Sequence, residues 1–350
     1  MPVPPTARDQ RHPWLVPAAV AIALLGVVIA WVALGGLRPS PPPTDAELEQ
    51  AIVDLSEKLE AAVVNGRDAT PLLAPAELLA QRRPDAASAH RLLGQVQVEL
   101  ADWSRAYASF AEALVLEPDD PQLHRLAGGV AEQTENWTAA RTHYEAARRL
   151  RPEDPALWVR LANLAVKEQK YDEAKPLLIA AIARQATLHE AHALRAAVLD
   201  HEGEPDAALA SLEEAYNLAS LEGGDALRRY AIRLAQQLRE HGELVKASKV
   251  LRLPKPEDAF HPDVMAPLGQ ILEELGLGFE AGQYYEQWVQ RDPTNAHAAE
   301  QAVGYYLRAE EAQAAEAMLV VLRRMDSNHP RLSEFDSALR KLANEIPTNP

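Results

Sequence analysis

Cysteine is absent from all 350 residues. That excludes disulfides, thiolate zinc and iron–sulfur ligation, a cysteine nucleophile and a lipidated N-terminal cysteine. Aromatic residues are scarce at 5%, and there are only 16 glycines. Positive charge is also short: 35 Lys and Arg face 51 Asp and Glu, a formal charge of −16. Such a chain neutralises phosphates poorly, so no nucleic-acid partner is expected. Alanine takes the space, at 64 residues. It is the best helix former, and an Ala-rich, Gly-poor chain points to packed helices.

One long hydrophobic run stands out. From Pro13 to Leu37 no residue is charged, enough for a helix to cross the hydrocarbon of a bilayer. Residues 14–37 are therefore expected to form a transmembrane helix, with Pro17 in its first turn and Trp14 and Trp31 toward its ends. A cleaved signal peptide begins similarly, and Ala33-Leu34-Gly35 could pass for its cleavage site, but the run is about twice the usual apolar region. Arg8 and Arg11 precede the span, and Arg38 alone follows closely. The positive-inside rule then makes residues 1–13 a cytoplasmic tail. It puts the rest outside the cytoplasm, as a single-pass protein of the inner (cell) membrane with a periplasmic array. Ala19, Ala23, Gly26 and Ala30 share one face, through which two spans could pack as a homodimer.

Residues 38–43 read as a stiff Pro-rich linker. Residues 44–86 read as a helical pair. Thr44-Asp45-Ala46-Glu47 fits a capping box. Leu48, Ile52, Leu55, Leu59 and Ala62 then recur at helical spacing, and Asn65-Gly66 ends the run. A second helix is expected from about Pro71, capped by Thr70, to about Arg82.

The main signal is a period of 34. Gly94, Gly128, Ala162 and Ala196 fall in register, as do Ala106, Ala140, Ala174 and Ala208, then Phe110, Tyr144, Leu178 and Leu212, then Ala113, Ala147, Ala181 and Ala215. Pro118 and Pro152 close the first two units. After a five-residue insertion around Gly223-Gly224 the register resumes with Ala247, Ala281 and Ala315, followed by Leu251, Tyr285 and Leu319. A fixed period of this length marks stacked supersecondary units, none of which buries its apolar face alone.

These columns resemble the tetratricopeptide repeat family over about residues 87–329. The best unit carries Leu93-Gly94, Trp103, Ala106, Phe110, Ala113 and Pro118. The resemblance implies an all-α fold: a right-handed α-solenoid of about seven helix hairpins, preceded by the transmembrane helix. Residues 44–86 would be a degenerate N-terminal unit. Four repeats would fill 87–222, three would fill 223–329, and a C-terminal capping helix would cover 330–346. Pro254 breaks the pattern, and Leu253-Pro254-Lys255-Pro256 must end the second helix of the fifth unit early. With Gly223-Gly224 before it, that unit reads as a joint.

No catalytic set is visible. His189-Glu190-Ala191-His192 has its histidines at i and i+3, not the i and i+4 of a zinc-protease helix. Gly276-Leu277-Gly278 lacks the preceding strand of a phosphate loop. Asn136-Trp137-Thr138 is a formal glycosylation triplet, but Trp137 falls in the repeat's aromatic column. No enzyme activity, cofactor or metal is expected. The resemblance implies that the first helix of each hairpin lines a concave face. There Arg91, Gln95, Arg125, Gln133, Arg160, Asn163 and Lys167 would grip a peptide carboxylate or backbone. The implied function is a membrane-tethered scaffold for a protein or peptide partner, an envelope assembly or quality-control factor. Alternatives are a subunit that binds apocytochromes in cytochrome c maturation, and a regulatory or targeting subunit of an enzyme complex.

Overall fold

The computed structural model describes residues 43–345. The expected tail, the span 14–37 and the stripe Ala19, Ala23, Gly26 and Ala30 lie outside the described residues. No helix among the described residues is long and apolar enough to cross a membrane. The described residues form eighteen α-helices and no strand. Two compact units divide between Ala101 and Asp102.

The first unit holds α1 (Asp45–Val64), α2 (Thr70–Arg82) and α3 (Ala87–Glu99). The capping box forms: the Glu47 N–H donates to Thr44 Oγ1 at 3.3 Å, and the Thr44 N–H donates to Glu47 Oε2 at 2.7 Å. The stripe from Leu48 to Ala62 is buried, and most of it shares a core with Ala76, Leu79, Leu92 and Val96. Thr70 does not cap α2 but begins it. Asp68 Oδ1 accepts from the Thr70 N–H at 2.8 Å and from its hydroxyl at 2.6 Å, so the aspartate takes the role expected of the threonine.

The second unit opens with α4 (Trp103–Leu116), then stacks hairpins: α5 (Pro121–Gln133) with α6 (Trp137–Leu150), α7 (Pro155–Lys167) with α8 (Tyr171–Arg184), and α9 (His189–Glu202) with α10 (Pro205–Ala219). It continues with α11 (Gly224–Glu240) and α12 (Leu244–Leu251), the short α13 (Pro256–Ala259), and α14 (Pro262–Glu274) with α15 (Gly278–Arg291). The last hairpin is α16 (Ala296–Arg308) with α17 (Ala312–Met325), and α18 (Leu332–Glu345) follows with Phe335 buried.

Packing explains the alanine column. Ala106, Ala140, Ala174, Ala208, Ala247, Ala281 and Ala315 are each 0% exposed. At such density one extra methylene has no room. The loops entering the first four repeats share a further device. Ring nitrogens of His90, His124, Trp158 and His192 contact the carbonyls of Pro84, Pro118, Pro152 and Ala186, each six residues back. A third column follows the first helix of each repeat. Ala101, at the end of the first unit, and Glu135, Gln169, Gly203, Gly242, Gly276 and Glu310, in the turns of the second, all take positive φ, between 56° and 75°.

At the expected joint, α12 spans only 8 residues, as the proline-rich Leu253–Pro256 stretch requires. The short α13 follows. Its Asp258, 1% exposed, accepts from the Gly224 N–H at 3.1 Å and from Arg228 Nη1 at 2.7 Å. Lys255 Nζ donates to the Glu222 carbonyl at 3.0 Å. One hydrophobic core runs through this point, from Ala193 to Phe335.

Candidate functional site

The first helices of the hairpins stand side by side in the second unit, and carboxylates tie them together. Glu132 on α5 is buried. It accepts from Tyr144 Oη at 3.0 Å, Asn163 Nδ2 at 3.0 Å and Lys167 Nζ at 2.9 Å, the last two on α7. Asp200 on α9 accepts from Arg233 Nη2 at 2.8 Å and Gln237 Nε2 at 3.0 Å on α11. Arg239 on α11 donates to Glu274 on α14 at 3.0 Å. Glu273 on α14 pairs with Arg308 on α16, and Glu300 on α16 pairs with Arg331 before α18.

One rung is missing. Among the described residues, no ion pair or side-chain hydrogen bond links α7 to α9. A groove of about 290 Å³ opens there, lined by Arg160, Asn163, Glu190, Arg229, Tyr230 and Arg233 together with apolar side chains. Arg160 and Arg229 are exposed, and neither has a hydrogen-bond or ion-pair partner among the described residues. Tyr230 forms the buried floor and contacts His189 Nδ1 at 3.1 Å. Burial, reinforced by Glu190, pushes its phenol up to about 12 against the pull of Arg229. The phenol stays neutral, leaving a groove in which two free guanidiniums face one carboxylate, Glu190.

The seven residues expected to grip a ligand have different fates. Arg91 and Gln95 are half-buried on α3 in the first unit. Arg125 is exposed and donates to Gln122 Oε1 at 2.9 Å; Gln133 is exposed in the last turn of α5. Arg160 and Asn163 both line the groove. Asn163 and Lys167 meet at Glu132, and Lys167 Nζ also stands 5.0 Å from the centre of the Trp137 ring. Lys167 is itself exposed, but its ammonium is tied to a buried carboxylate. Arg229 and Arg233 were missed. They sit at the second and sixth helix positions of the fifth unit, which the family's position rule names once the five-residue insertion is allowed for.

The other motifs resolve into structure. His189 and His192 turn to different partners, the Tyr230 hydroxyl and the Ala186 carbonyl. Asn136 caps α6, its Oδ1 accepting from the Ala139 N–H at 3.2 Å.

Two tetratricopeptide repeat models match the sequence, over residues 92–155 and 132–198. Together the two matches cover residues 92–198, where the chain is similar to tetratricopeptide repeats. The second unit continues the same hairpin beyond them. No curated protein matches the chain. Among solved structures, the chain is similar to PilW, whose structure is titled as that of a widely conserved type IV pilus biogenesis factor. The two are 14% identical, with a TM-score of 0.52, covering 63% of this chain and 99% of that one. A tetratricopeptide repeat protein from Parabacteroides merdae is 15% identical, with a TM-score of 0.49, covering 72% and 98%. The pilF protein of Pseudomonas aeruginosa is 17% identical, with a TM-score of 0.48, covering 61% and 96%. The PilW likeness shows an all-α repeat fold.

Proposed function

We propose that this protein is a non-catalytic, membrane-tethered scaffold that holds an acidic segment of a partner protein in the groove between α7, α9 and α11. The unpartnered pair Arg160 and Arg229 carries the reading. Elsewhere along the wall, the cationic groups of Lys167, Arg233, Arg239 and Arg308 are answered by carboxylates of the neighbouring helix. Here two are left open around a gap large enough for a side chain or a chain terminus. A carboxylate entering it makes charge-assisted bonds, roughly twice as strong as neutral ones. Asn163 beside them can serve the peptide backbone.

The tether rests on the charge-free run from Pro13 to Leu37, and the side of the membrane rests on Arg8 and Arg11. An envelope assembly or quality-control role follows from that placement. The likeness to PilW supports the all-α repeat scaffold on which this reading rests.

The test is crosslinking and capture from intact cells with the full-length chain and its Arg160→Glu/Arg229→Glu variant. One extracytoplasmic protein captured by the wild type, and reduced at least tenfold in the variant, supports the groove. Equal capture by both removes it. Recovery of the chain in the soluble fraction at a mass lacking residues 1–37 removes the tether.

A further inference from the structure

Two histidines on neighbouring helices face each other away from the groove. His124 on α5 and His143 on α6 place their Nδ1 atoms 3.1 Å apart, with ring centroids 5.4 Å apart. The outer nitrogens of both rings are already held. His124 Nε2 lies 3.0 Å from the Pro118 carbonyl, and His143 Nε2 lies 3.1 Å from the Tyr107 hydroxyl on α4. A carbonyl only accepts, so His124 carries its proton on Nε2 and its Nδ1 is a bare lone pair when the ring is neutral. The Tyr107 hydroxyl can either donate or accept. When it accepts, His143 also carries its proton on Nε2. The two Nδ1 lone pairs, 3.1 Å apart, are then both open to a single cation seated to one side of the line that joins them.

We propose that His124 and His143 bind one borderline transition-metal dication of the zinc, nickel or copper class through their Nδ1 atoms. Two nitrogens bonded at about 2.0–2.1 Å to one tetrahedral ion lie roughly 3.3 Å apart, within a few tenths of an ångström of the separation found here. Ligating histidines almost always donate their other ring N–H to a carbonyl, carboxylate or water. The Pro118 carbonyl and the Tyr107 hydroxyl fill those places. Imidazole suits these metals and not magnesium or calcium, which prefer oxygen. Among the described residues no group of three or more His, Asp or Glu side chains could hold a metal. The protein therefore supplies two ligands and water the rest. A cavity of about 280 Å³, lined by both histidines, Tyr107 and apolar side chains such as Leu114 and Ala127, gives that water space.

The loop contact does not account for His143. His90, Trp158 and His192 make the same contact as His124 in the other repeats, while the residues in step with His143 are Ser109, Leu177 and Ser211. Only in the second repeat does a histidine face the ring.

The site is tested on the untagged full-length chain, stripped with chelator and titrated with Zn²⁺, Ni²⁺ and Cu²⁺ by calorimetry and equilibrium dialysis. The wild type is expected to bind one equivalent of metal that His143→Leu does not bind. That variant copies the leucine of the third repeat, and circular dichroism checks that it folds. His297→Ala, at an exposed histidine elsewhere, is expected to match the wild type. Nitrogen NMR should show Zn²⁺ moving the Nδ1 resonances of both rings. If His143→Leu binds metal with the stoichiometry and affinity of the wild type, or the wild type binds none, the assignment is overturned.

Discussion

The ring of Tyr144 lies against the bare Cα of Gly128: a Cβ there would meet Cε1 at 2.7 Å and Cδ1 at 2.8 Å. The small residue on the first helix and the large residue on the second are one fitted pair. From this seat the Tyr144 hydroxyl donates to Glu132, which in turn takes Asn163 and Lys167 from the next hairpin. Close packing inside one repeat thus sets the polar junction to its neighbour.

Neighbouring glycines on α5 should therefore respond with opposite signs. Gly128→Ala drives a methyl into a ring fixed on both sides, and overpacking costs about 1–3 kcal/mol. That outweighs the helix-propensity gain of roughly 1 kcal/mol. At Gly129 the added Cβ meets only Tyr144 Oη at 3.8 Å, so Gly129→Ala keeps the gain. Denaturant unfolding of the two variants should move in opposite directions. Equal shifts would mean the ring is not seated on Gly128.

The positive-φ column gives a second test. Gly203, Gly242 and Gly276 occupy it without strain, whereas Glu135, Gln169 and Glu310 hold left-handed backbone with a Cβ, at roughly 1–2 kcal/mol each. Gln169→Gly relieves that strain but adds freedom to the unfolded chain. The net expectation is a gain of a few tenths to about 1 kcal/mol. Gly203→Ala should cost about as much as the strain it introduces. Thermal scans that show Gln169→Gly losing stability would refute this account of the turn.

These examples show what was legible in the sequence. The alanine column was, because seven backbones approach too closely for anything larger and the period repeats the demand. The left-handed turn column was not. Glycine is its usual marker, and four of the seven positions carry Ala, Glu or Gln. In the groove, Arg160 and Asn163 stand at helix positions that the family resemblance implies. Lys167 was at the right position but is drawn to Glu132, a partner 35 residues away whose burial no local pattern reveals. Arg229 and Arg233 were displaced by the insertion near Gly223. His124 and His143 lie nineteen residues apart on separate helices, outside any metal-ligand spacing.

Six tyrosines predict an alkaline limit. Burial raises the phenols of Tyr144, Tyr216, Tyr230, Tyr285, Tyr305 and Tyr306 above the ordinary value near 10. The folded state then holds protons that the unfolded state has begun to release. Their contribution is complete below pH 10 and is lost as the pH climbs from there through the folded-state values. Phenolate absorbance and helical circular dichroism, followed on one sample, should change together for these six. Six phenolates appearing near pH 10 with the helices intact would contradict their burial.

The last prediction concerns the joint. Asp258 is buried against Arg228, itself 20% exposed, and also holds the Gly224 N–H that begins α11. Removing one partner of a buried pair leaves an uncompensated charge, at about 3–5 kcal/mol. Arg228 can turn in part to Asp225 and to solvent, so Asp258→Ala should fall at the lower end of that range. Asp258→Asn keeps an acceptor for the Gly224 N–H and should cost less. Because one core runs from Ala193 to Phe335, loosening this contact should expose the Glu222–Gly224 loop before the repeats separate. Limited proteolysis of Asp258→Ala is expected to cut first at that loop, at denaturant concentrations where the wild type stays whole. Cleavage spread evenly over the turns would mean that α13 fills space without holding the joint.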